Sequence, residues 1–250
     1  MTESPISPNG RGPAGQWLRR LGGRGAISTR LLCLPHAGAG ASAFRNWLPH
    51  LPSGCELWGV AYPGREDRLG EPPAEDVLTM AQHIAFALQW VTDQPYRLFG
   101  HSMGAILAYE TCHALRRLGH AAPQHLFVSS SPPPARIAAV TTAERSDTRV
   151  RWLPGGPEEG EREQLADLAT ETLDADLAML CSYRDPTMAR LTAPVTAMHG
   201  AADPDMDSRW APEWKRHTAG DFEVAILPGD HFYCFTAPHD ALGIVLRGLR

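Results

Sequence analysis

The feature of this 250-residue sequence that most constrains its fold is an alternation of short apolar runs with longer segments of helical periodicity. The apolar runs predict buried strands over Arg30–Leu34, Glu56–Ala61, Tyr96–Phe99, Gln124–Ser129, Ala193–Met198 and Phe222–Leu227. Between them, apolar residues recur at the spacing of amphipathic helices, most clearly from Val77 to Val91 and from Met103 to Leu118. Strands that are connected through helices pair in parallel. The sequence therefore predicts an α/β protein with a mostly parallel central sheet flanked by helices.

Two segments depart from this alternation. Residues 1–28 are rich in glycine and proline and contain no apolar run of the signal-peptide kind, so we interpret them as a flexible leader. Residues from about 132 to 190 contain no convincing strand and are dominated by acidic, Leu- and Ala-rich helical patterns. We predict that this second stretch is a helical lid, inserted into one catalytic domain that spans residues 29–250.

Composition and charge argue against several classes of protein. Hydrophobic residues make up 43% of the chain, yet no apolar run approaches the roughly 18 residues that cross a bilayer. The net charge of -5 gives no general attraction to nucleic acid or anionic membranes. The five cysteines include no Cys-x-x-Cys pair and do not resemble a disulfide framework. We expect a soluble, cytoplasmic protein, monomeric and without a metal or cofactor.

The segment Gly100-His101-Ser102-Met103-Gly104 carries the strongest indication of chemistry. A Gly-x-Ser-x-Gly pattern alone has little specificity, but here it directly follows a predicted strand and opens a predicted helix. This setting is typical of the nucleophile turn of α/β-hydrolases, in which a strained turn presents the serine hydroxyl above the sheet. We therefore predict an α/β-hydrolase fold with Ser102 as the nucleophile of a serine hydrolase. The alternative is a glycine-rich turn without chemistry.

A serine hydroxyl becomes a good nucleophile only when a histidine can accept its proton. His231 lies just beyond the last predicted strand, at the edge where the active sites of parallel sheets gather, and is the predicted base. His217 and His239 lack that placement. His199 ends the preceding strand, but it comes before the candidate acid, whereas this fold places the histidine after it.

The carboxylate that orients the histidine is expected in the loop after the strand Ala193–Met198. Asp203 is the predicted acid, with Asp205 and Asp207 in the same loop as alternatives. Some proteins of this fold carry the acid after the strand that follows the nucleophile helix. That position is empty in this chain, because Ser129–Ala143 contains no Asp or Glu.

An oxyanion hole requires two backbone N–H donors. The predicted donors are Met103, which follows the nucleophile, and Ala37, which lies in the Gly-rich turn after the first predicted strand. His36 stands beside Ala37, and we interpret it as a residue that packs and shapes the turn rather than as a catalytic group.

Several motifs occur together in the order and spacing of one known family. They are Leu34-Pro35-His36-Ala37-Gly38, Tyr62-Pro63-Gly64-Arg65-Glu66, Phe99 to Ala105, Asp203-Pro204, Gly229-Asp230-His231-Phe232, and Leu173-Asp174-Ala175-Asp176 leading to Tyr183-Arg184. From Arg30 to its C terminus, the chain resembles the type II thioesterases that accompany modular polyketide synthases and nonribosomal peptide synthetases. Met198-His199-Gly200 departs from the family's more usual small residues, and residues 138–160 do not align.

The resemblance implies a function that composition and periodicity do not indicate. Such enzymes hydrolyse acyl, aminoacyl or peptidyl thioesters on the phosphopantetheine arm of acyl- or peptidyl-carrier proteins, usually to clear stalled or misprimed units. One alternative is a general carboxylesterase or lipase, against which the Tyr62–Glu66 motif argues. A second is a carrier-binding module without catalysis, which the intact set of Ser102, Asp203 and His231 makes improbable.

Overall fold

A seven-stranded sheet forms the centre of the protein. The computed structural model describes residues 13–137, 161–185 and 189–248, with the backbone alone for Pro13 and residues 161–169. The strands are β1 (Leu18–Gly23), β2 (Thr29–Leu34), β3 (Cys55–Val60), β4 (Tyr96–His101), β5 (His125–Ser129), β6 (Val195–Gly200) and β7 (Phe222–Leu227). Their order is β1-β3-β2-β4-β5-β6-β7, and all neighbours are parallel except β1 and β3. The predicted α/β fold with a mostly parallel sheet is confirmed.

The antiparallel edge of the sheet is formed by residues that the sequence assigned to the leader. A short helix, α1 (Pro13–Trp17), leads into β1, and Leu18 pairs with Val60 of β3. Trp17 and Leu18 are buried. The prediction of a flexible leader is therefore wrong for residues 13–23, where glycines and arginines obscure the strand pattern. Residues 1–12 lie outside the described part of the chain.

Helices cover both faces of the sheet. The α-helices after α1 are α2 (Val77–Leu88), α3 (Met103–Arg117), α4 (Glu161–Ser182), α5 (Tyr233–Thr236) and α6 (Pro238–Val245), with 3-10 helices at Ala41–His50, Glu66–Arg68 and Ala211–His217. The helices α2 and α3 share one apolar core, whereas α6 and the 3-10 helix Ala41–His50 pack in the other. Asp76 caps α2, because its carboxylate accepts a 2.7 Å hydrogen bond from the Thr79 amide.

The helix α4 belongs to the segment predicted as a lid, residues 132–190. Leu173, Met179 and Leu180 of α4 are buried in the core that also contains α2 and α3. Residues 138–160 and 186–188 of the predicted lid lie outside the described residues. Within the described ranges, none of the helices has both the length and the apolar character required to cross a membrane.

Candidate active site

Ser102 occupies a strained turn between β4 and α3. Its φ of 55° and ψ of -118° lie in a region that costs a residue with a side chain on the order of 1–3 kcal/mol. Close packing explains the flanking glycines, since a Cβ at Gly100 would lie 2.2 Å from the carbonyl oxygen of Gly104. The Ser102 amide donates a 2.7 Å hydrogen bond to the carbonyl oxygen of Ser129 at the end of β5. The turn is therefore held by the neighbouring strand.

Parallel strands bring the three predicted site residues to one edge of the sheet. Ser102 directly follows β4, Asp203 comes soon after β6, and His231 comes soon after β7. The loops after β6 and β7 are joined by hydrogen bonds from Ala201 to Leu227 at 2.7 Å and from Ala202 to Gly229 at 2.9 Å. All three residues thus lie at the carboxyl edge, where sites of open α/β sheets form.

Asp203 and His231 form a buried pair. The Nδ1 atom of His231 lies 3.1 Å from each carboxylate oxygen of Asp203, and both residues are buried. Burial alone would raise the pKa of Asp203, but the hydrogen bonds and charge of His231, with a further hydrogen bond from Ser130, lower it below its ordinary value. Asp203 is therefore ionised at neutral pH and can hold a proton on Nδ1.

The two alternative acids occupy different positions. The nearest carboxylate oxygen of Asp205 lies 3.9 Å from Nδ1 of His231, and the Asp205 amide donates a 3.0 Å hydrogen bond to Asp203. Asp207 instead accepts hydrogen bonds from the backbone and guanidinium of Arg209. Of the three aspartates in this loop, Asp203 is thus the one within hydrogen-bond distance of His231.

The competing histidines make other contacts. His199 is buried, with Nδ1 2.9 Å from the carbonyl oxygen of Gly200. His217 lies 3.2 Å from the hydroxyl of Tyr109. The side chain of His239 is 82% exposed. None of these contacts is with a carboxylate of the aspartate loop.

The turn after β2 packs directly against the start of α3. A Cβ at Gly104 would lie 2.0 Å from the carbonyl oxygen of Leu34 and 2.7 Å from that of Pro35. This close approach brings the N terminus of α3, which begins at Met103, beside the turn that contains Ala37. The first amides of a helix have no partner within the helix and carry its positive dipole end. The arrangement is suited to binding an anion.

His36 packs within an aromatic cluster. Its ring centroid lies 5.9 Å from that of His101, 5.2 Å from Phe232 and 5.5 Å from Phe235. Burial lowers the pKa of His36 to about 4, so the imidazole is neutral at physiological pH. These contacts fit the interpretation of His36 as a residue that shapes the turn.

A buried polar network that the sequence did not indicate links three segments of the site. His101 Nδ1 lies 2.9 Å from Ser129 Oγ, which in turn lies 2.7 Å from the hydroxyl of Tyr233. The His101 ring centroid is 5.1 Å from that of His231. Burial keeps the pKa of His101 well below its ordinary value, so the ring beside Ser102 is uncharged. No local pattern marks Ser129 or Tyr233, because their contact joins distant parts of the chain.

The motif Tyr62-Pro63-Gly64-Arg65-Glu66 supports the turn after β2. The Tyr62 hydroxyl donates a 3.1 Å hydrogen bond to the carbonyl oxygen of Pro35. Glu66 accepts hydrogen bonds from the amides of Ala41 at 3.1 Å and Ser42 at 2.9 Å. The motif therefore fixes both ends of this turn.

One group of three potential metal ligands exists among the described residues. Ligand atoms of Asp203, Asp205 and His231 lie within 4.8 Å of one another. The hydrogen bond between Asp203 and His231 already accounts for the proximity of two of them, and this geometry matches an acid–histidine pair.

The parallel sheet, the strained serine between β4 and α3, and the buried Asp203–His231 pair define the α/β-hydrolase class. Residues 29–249 match the family model described as the thioesterase domain. The chain belongs to this thioesterase family.

Individual relatives agree with this assignment. The chain is 34% identical to the thioesterase PikA5 of Streptomyces venezuelae over 240 residues, which cover 93% of this chain and 84% of PikA5. It is 29% identical to the gramicidin S biosynthesis protein GrsT of Aneurinibacillus migulanus, with 94% of each protein covered. The structure of the type II thioesterase BorB from the borrelidin biosynthetic cluster superposes with a TM-score of 0.81 at 32% identity, covering 94% of this chain and 98% of BorB. The resemblance to type II thioesterases of polyketide and nonribosomal peptide pathways is confirmed.

Proposed function

We propose that this thioesterase hydrolyses acyl, aminoacyl or peptidyl thioesters on the phosphopantetheine arm of carrier proteins. Its role would be to clear stalled or misprimed units from a polyketide or nonribosomal peptide assembly line. The observation that carries the proposal is the buried Asp203–His231 pair, at the same sheet edge as the strained turn of Ser102. The borrelidin and gramicidin S relatives support the choice of pathway by their names.

In the proposed mechanism, Ser102 Oγ attacks the thioester carbonyl carbon while Nε2 of His231 accepts the hydroxyl proton. Asp203 keeps the other ring proton on Nδ1, so that Nε2 is the basic nitrogen. The amides of Ala37 and Met103 hold the oxyanion. The carbon–sulfur bond then breaks, and His231 returns the proton to the pantetheine sulfur. Water attacks the acyl-enzyme with His231 as the base, which releases the free acid and restores Ser102.

The partner in this scheme is an acyl- or peptidyl-carrier protein. We propose that the predicted lid, which includes α4, narrows the approach to Ser102 so that a thin pantetheine arm can enter. The packing of Leu173 against Gly38, where an added Cβ would lie 3.4 Å from Leu173 Cβ, supports a position for α4 beside the site. We also propose that the enzyme acts as a cytoplasmic monomer; none of its five cysteines, all within the described residues, forms a disulfide, which fits a reducing compartment.

The test is a comparison of three substrates that carry the same acyl chain: a loaded carrier protein, an acyl-pantetheine thioester and an aryl ester. We expect release of free acid from the loaded carrier, with the highest kcat/KM of the three. A strong preference for the ester, with no activity on the carrier, would instead favour a general carboxylesterase. Binding of the loaded carrier without release of acid would favour a non-catalytic module. A series of carriers with acyl chains of different length and branching would then define the substrate range.

A further inference from the structure

Arg65 and Asp176 form an ion pair between the loop after β3 and the helix α4. Nη1 of Arg65 lies 2.6 Å from Oδ2 of Asp176, and Nη2 lies 2.8 Å from Oδ1. The two side chains are only 7% and 1% exposed. Such a pair seldom stabilises a fold more than well-packed apolar residues of similar volume, because both charges lose their hydration. Stability alone therefore does not explain why this position holds two charges.

Nε of Arg65 donates a 3.2 Å hydrogen bond to the carbonyl oxygen of Pro63, and two further hydrogen bonds of the pair reach the turn after β2. Oδ2 of Asp176 accepts a 2.8 Å hydrogen bond from the amide of Gly38. Nη1 of Arg65 donates a 3.3 Å hydrogen bond to the carbonyl oxygen of Ala39. Gly38 has a φ of +77°, so the backbone bends sharply at this point. The pair thus holds the N–H of Gly38 and the C=O of Ala39, which lie one and two residues after Ala37.

We propose that Asp176 and Arg65 are positioning residues that orient the Ala37 amide for the oxyanion. The Gly38 N–H belongs to the peptide group that follows the Ala37 α-carbon, so its bond to Asp176 fixes that side of Ala37. The Ala37 N–H lies in the preceding peptide group, whose carbonyl oxygen, that of His36, accepts a 3.1 Å hydrogen bond from the Ala39 amide. The contact with Ala39 restrains the turn from the other side. An oxyanion donor is effective only if it is already aligned before the charge develops. The inference rests on the proposed function of Ser102 and Ala37, and it assigns α4 a part in the chemistry.

The experiment compares two double variants that remove the ion pair but differ in one acceptor. R65M/D176L replaces both charges with apolar side chains and leaves the Gly38 amide without its acceptor. R65M/D176N also removes both charges, but the Asn oxygen can still accept the Gly38 hydrogen bond. Removing both partners avoids a lone buried charge, which would destabilise the fold strongly.

The measurements are kcat and KM on a loaded carrier, Tm, and the inhibition constant of a trifluoromethyl ketone analogue of acyl-pantetheine. Attack of Ser102 Oγ on this ketone forms a carbon–oxygen bond, leaves the negative charge on the former carbonyl oxygen, and transfers the serine proton to His231. For R65M/D176L we expect a fall in kcat of roughly 10- to 100-fold, because a misplaced donor loses part of the 10²- to 10³-fold contribution of an oxyanion contact. Inhibitor affinity should fall in parallel, with KM and Tm nearly unchanged. R65M/D176N should keep most of the wild-type kcat and of the wild-type inhibitor affinity.

Arg68 and Glu71 provide a matched control in the same loop. They form an ion pair of 2.6 Å in which Arg68 is buried, and Arg68 also donates to the carbonyl oxygen of Ala61. R68M/E71L should change kcat and inhibitor affinity by less than about threefold, since no oxyanion donor depends on that pair.

Several results would overturn the inference. It fails if both Arg65 variants keep wild-type kcat and inhibitor affinity, or if both lose them equally, because the acceptor for Gly38 then has no effect. If R65M/D176L does not fold, R65Q/D176N and R65Q/D176A provide the same comparison. Retained hydrolysis by Ser102→Ala would refute the proposed function itself, which is a separate result.

Discussion

The Tyr183 hydroxyl donates a 2.6 Å hydrogen bond to Oε1 of Glu110. Tyr183 directly follows α4, and Glu110 lies in α3, the helix that starts just after Ser102. Both residues are buried. Burial raises the pKa of Glu110 to about 7, although the hydrogen bond from Tyr183 opposes this shift. A carboxyl group in the core therefore changes its charge near neutral pH.

Glu110 should make the stability of the protein depend on pH. Between its ordinary pKa of 4.5 and the folded value of about 7, the folded state binds a proton that the unfolded state releases. The contribution of Glu110 to the free energy of unfolding therefore falls as pH rises through this window, by up to about 3 kcal/mol at about 1.4 kcal/mol per pKa unit. Glu110→Gln keeps an acceptor for Tyr183 and should remove this dependence.

Urea unfolding of both proteins from pH 4.5 to 7.5 tests the Glu110 prediction. Histidines with lowered pKa values, such as the buried His113 and the half-buried His125, give a dependence of opposite sign. They are present in both proteins, so the difference between wild type and variant isolates Glu110. Parallel stability curves would show that Glu110 does not titrate in this range.

Substitutions at Ser102 and Asp203 should affect the chemical step rather than carrier binding. Ser102→Ala is expected to lower kcat by about 10⁴ to 10⁶, as in triads that act as a unit. Asp203→Asn should lower it by about 10⁴, because an amide that faces Nδ1 favours the wrong tautomer of His231. The measurement is single-turnover release of the acyl group from a loaded carrier, with carrier affinity recorded separately.

Asp207→Asn is the control for the acid. Its carboxylate pairs with Arg209, so hydrolysis should remain close to the wild-type rate. A severe loss in Asp205→Asn together with a mild loss in Asp203→Asn would transfer the role of the acid to Asp205.

Gly104→Ala should destabilise the protein, because the new Cβ would lie 2.0 Å from the carbonyl oxygen of Leu34. Backbone must move to relieve this clash, at a cost of about 1–3 kcal/mol or more. Gly243→Ala in α6 is a matched control, since no atom lies within 4 Å of its added Cβ. Alanine should stabilise that helix by about 1 kcal/mol. Equal free energies of unfolding for the two variants, from guanidinium titrations, would contradict the packing argument.

Tyr233→Phe should weaken the network beside Ser102. It removes the hydroxyl that lies 2.7 Å from Ser129 Oγ, with an expected loss of about 1 kcal/mol in stability and a fall in kcat. Tyr96→Phe loses a hydroxyl that donates to the carbonyl oxygen of Ala121 far along β4 from the site. It should show a similar stability loss with unchanged kcat. An identical kcat in both variants would mean that the network has no influence on the site.

Local patterns were sufficient to predict the six parallel strands and the principal helices. Burial on one face of a helix produces a periodicity, and burial on both faces of a strand produces a continuous apolar run; short segments reveal both. The tight turn at Ser102 is equally local, since Gly100 and Gly104 must be small wherever such a turn occurs. The missed strand β1 lacks this signal, because Leu18–Gly23 is half-exposed and depends on pairing with β3.

The sequence by itself determined the fold class, the family and a small set of candidate catalytic residues. Only the tertiary structure decided which of Asp203, Asp205 and Asp207 lies against His231, because the three are nearly equivalent along the chain. Tertiary structure also brought together Arg65 and Asp176, from the loop after β3 and from α4. Periodicity reports whether a residue is buried, whereas the partner of a buried polar group depends on how distant elements cross.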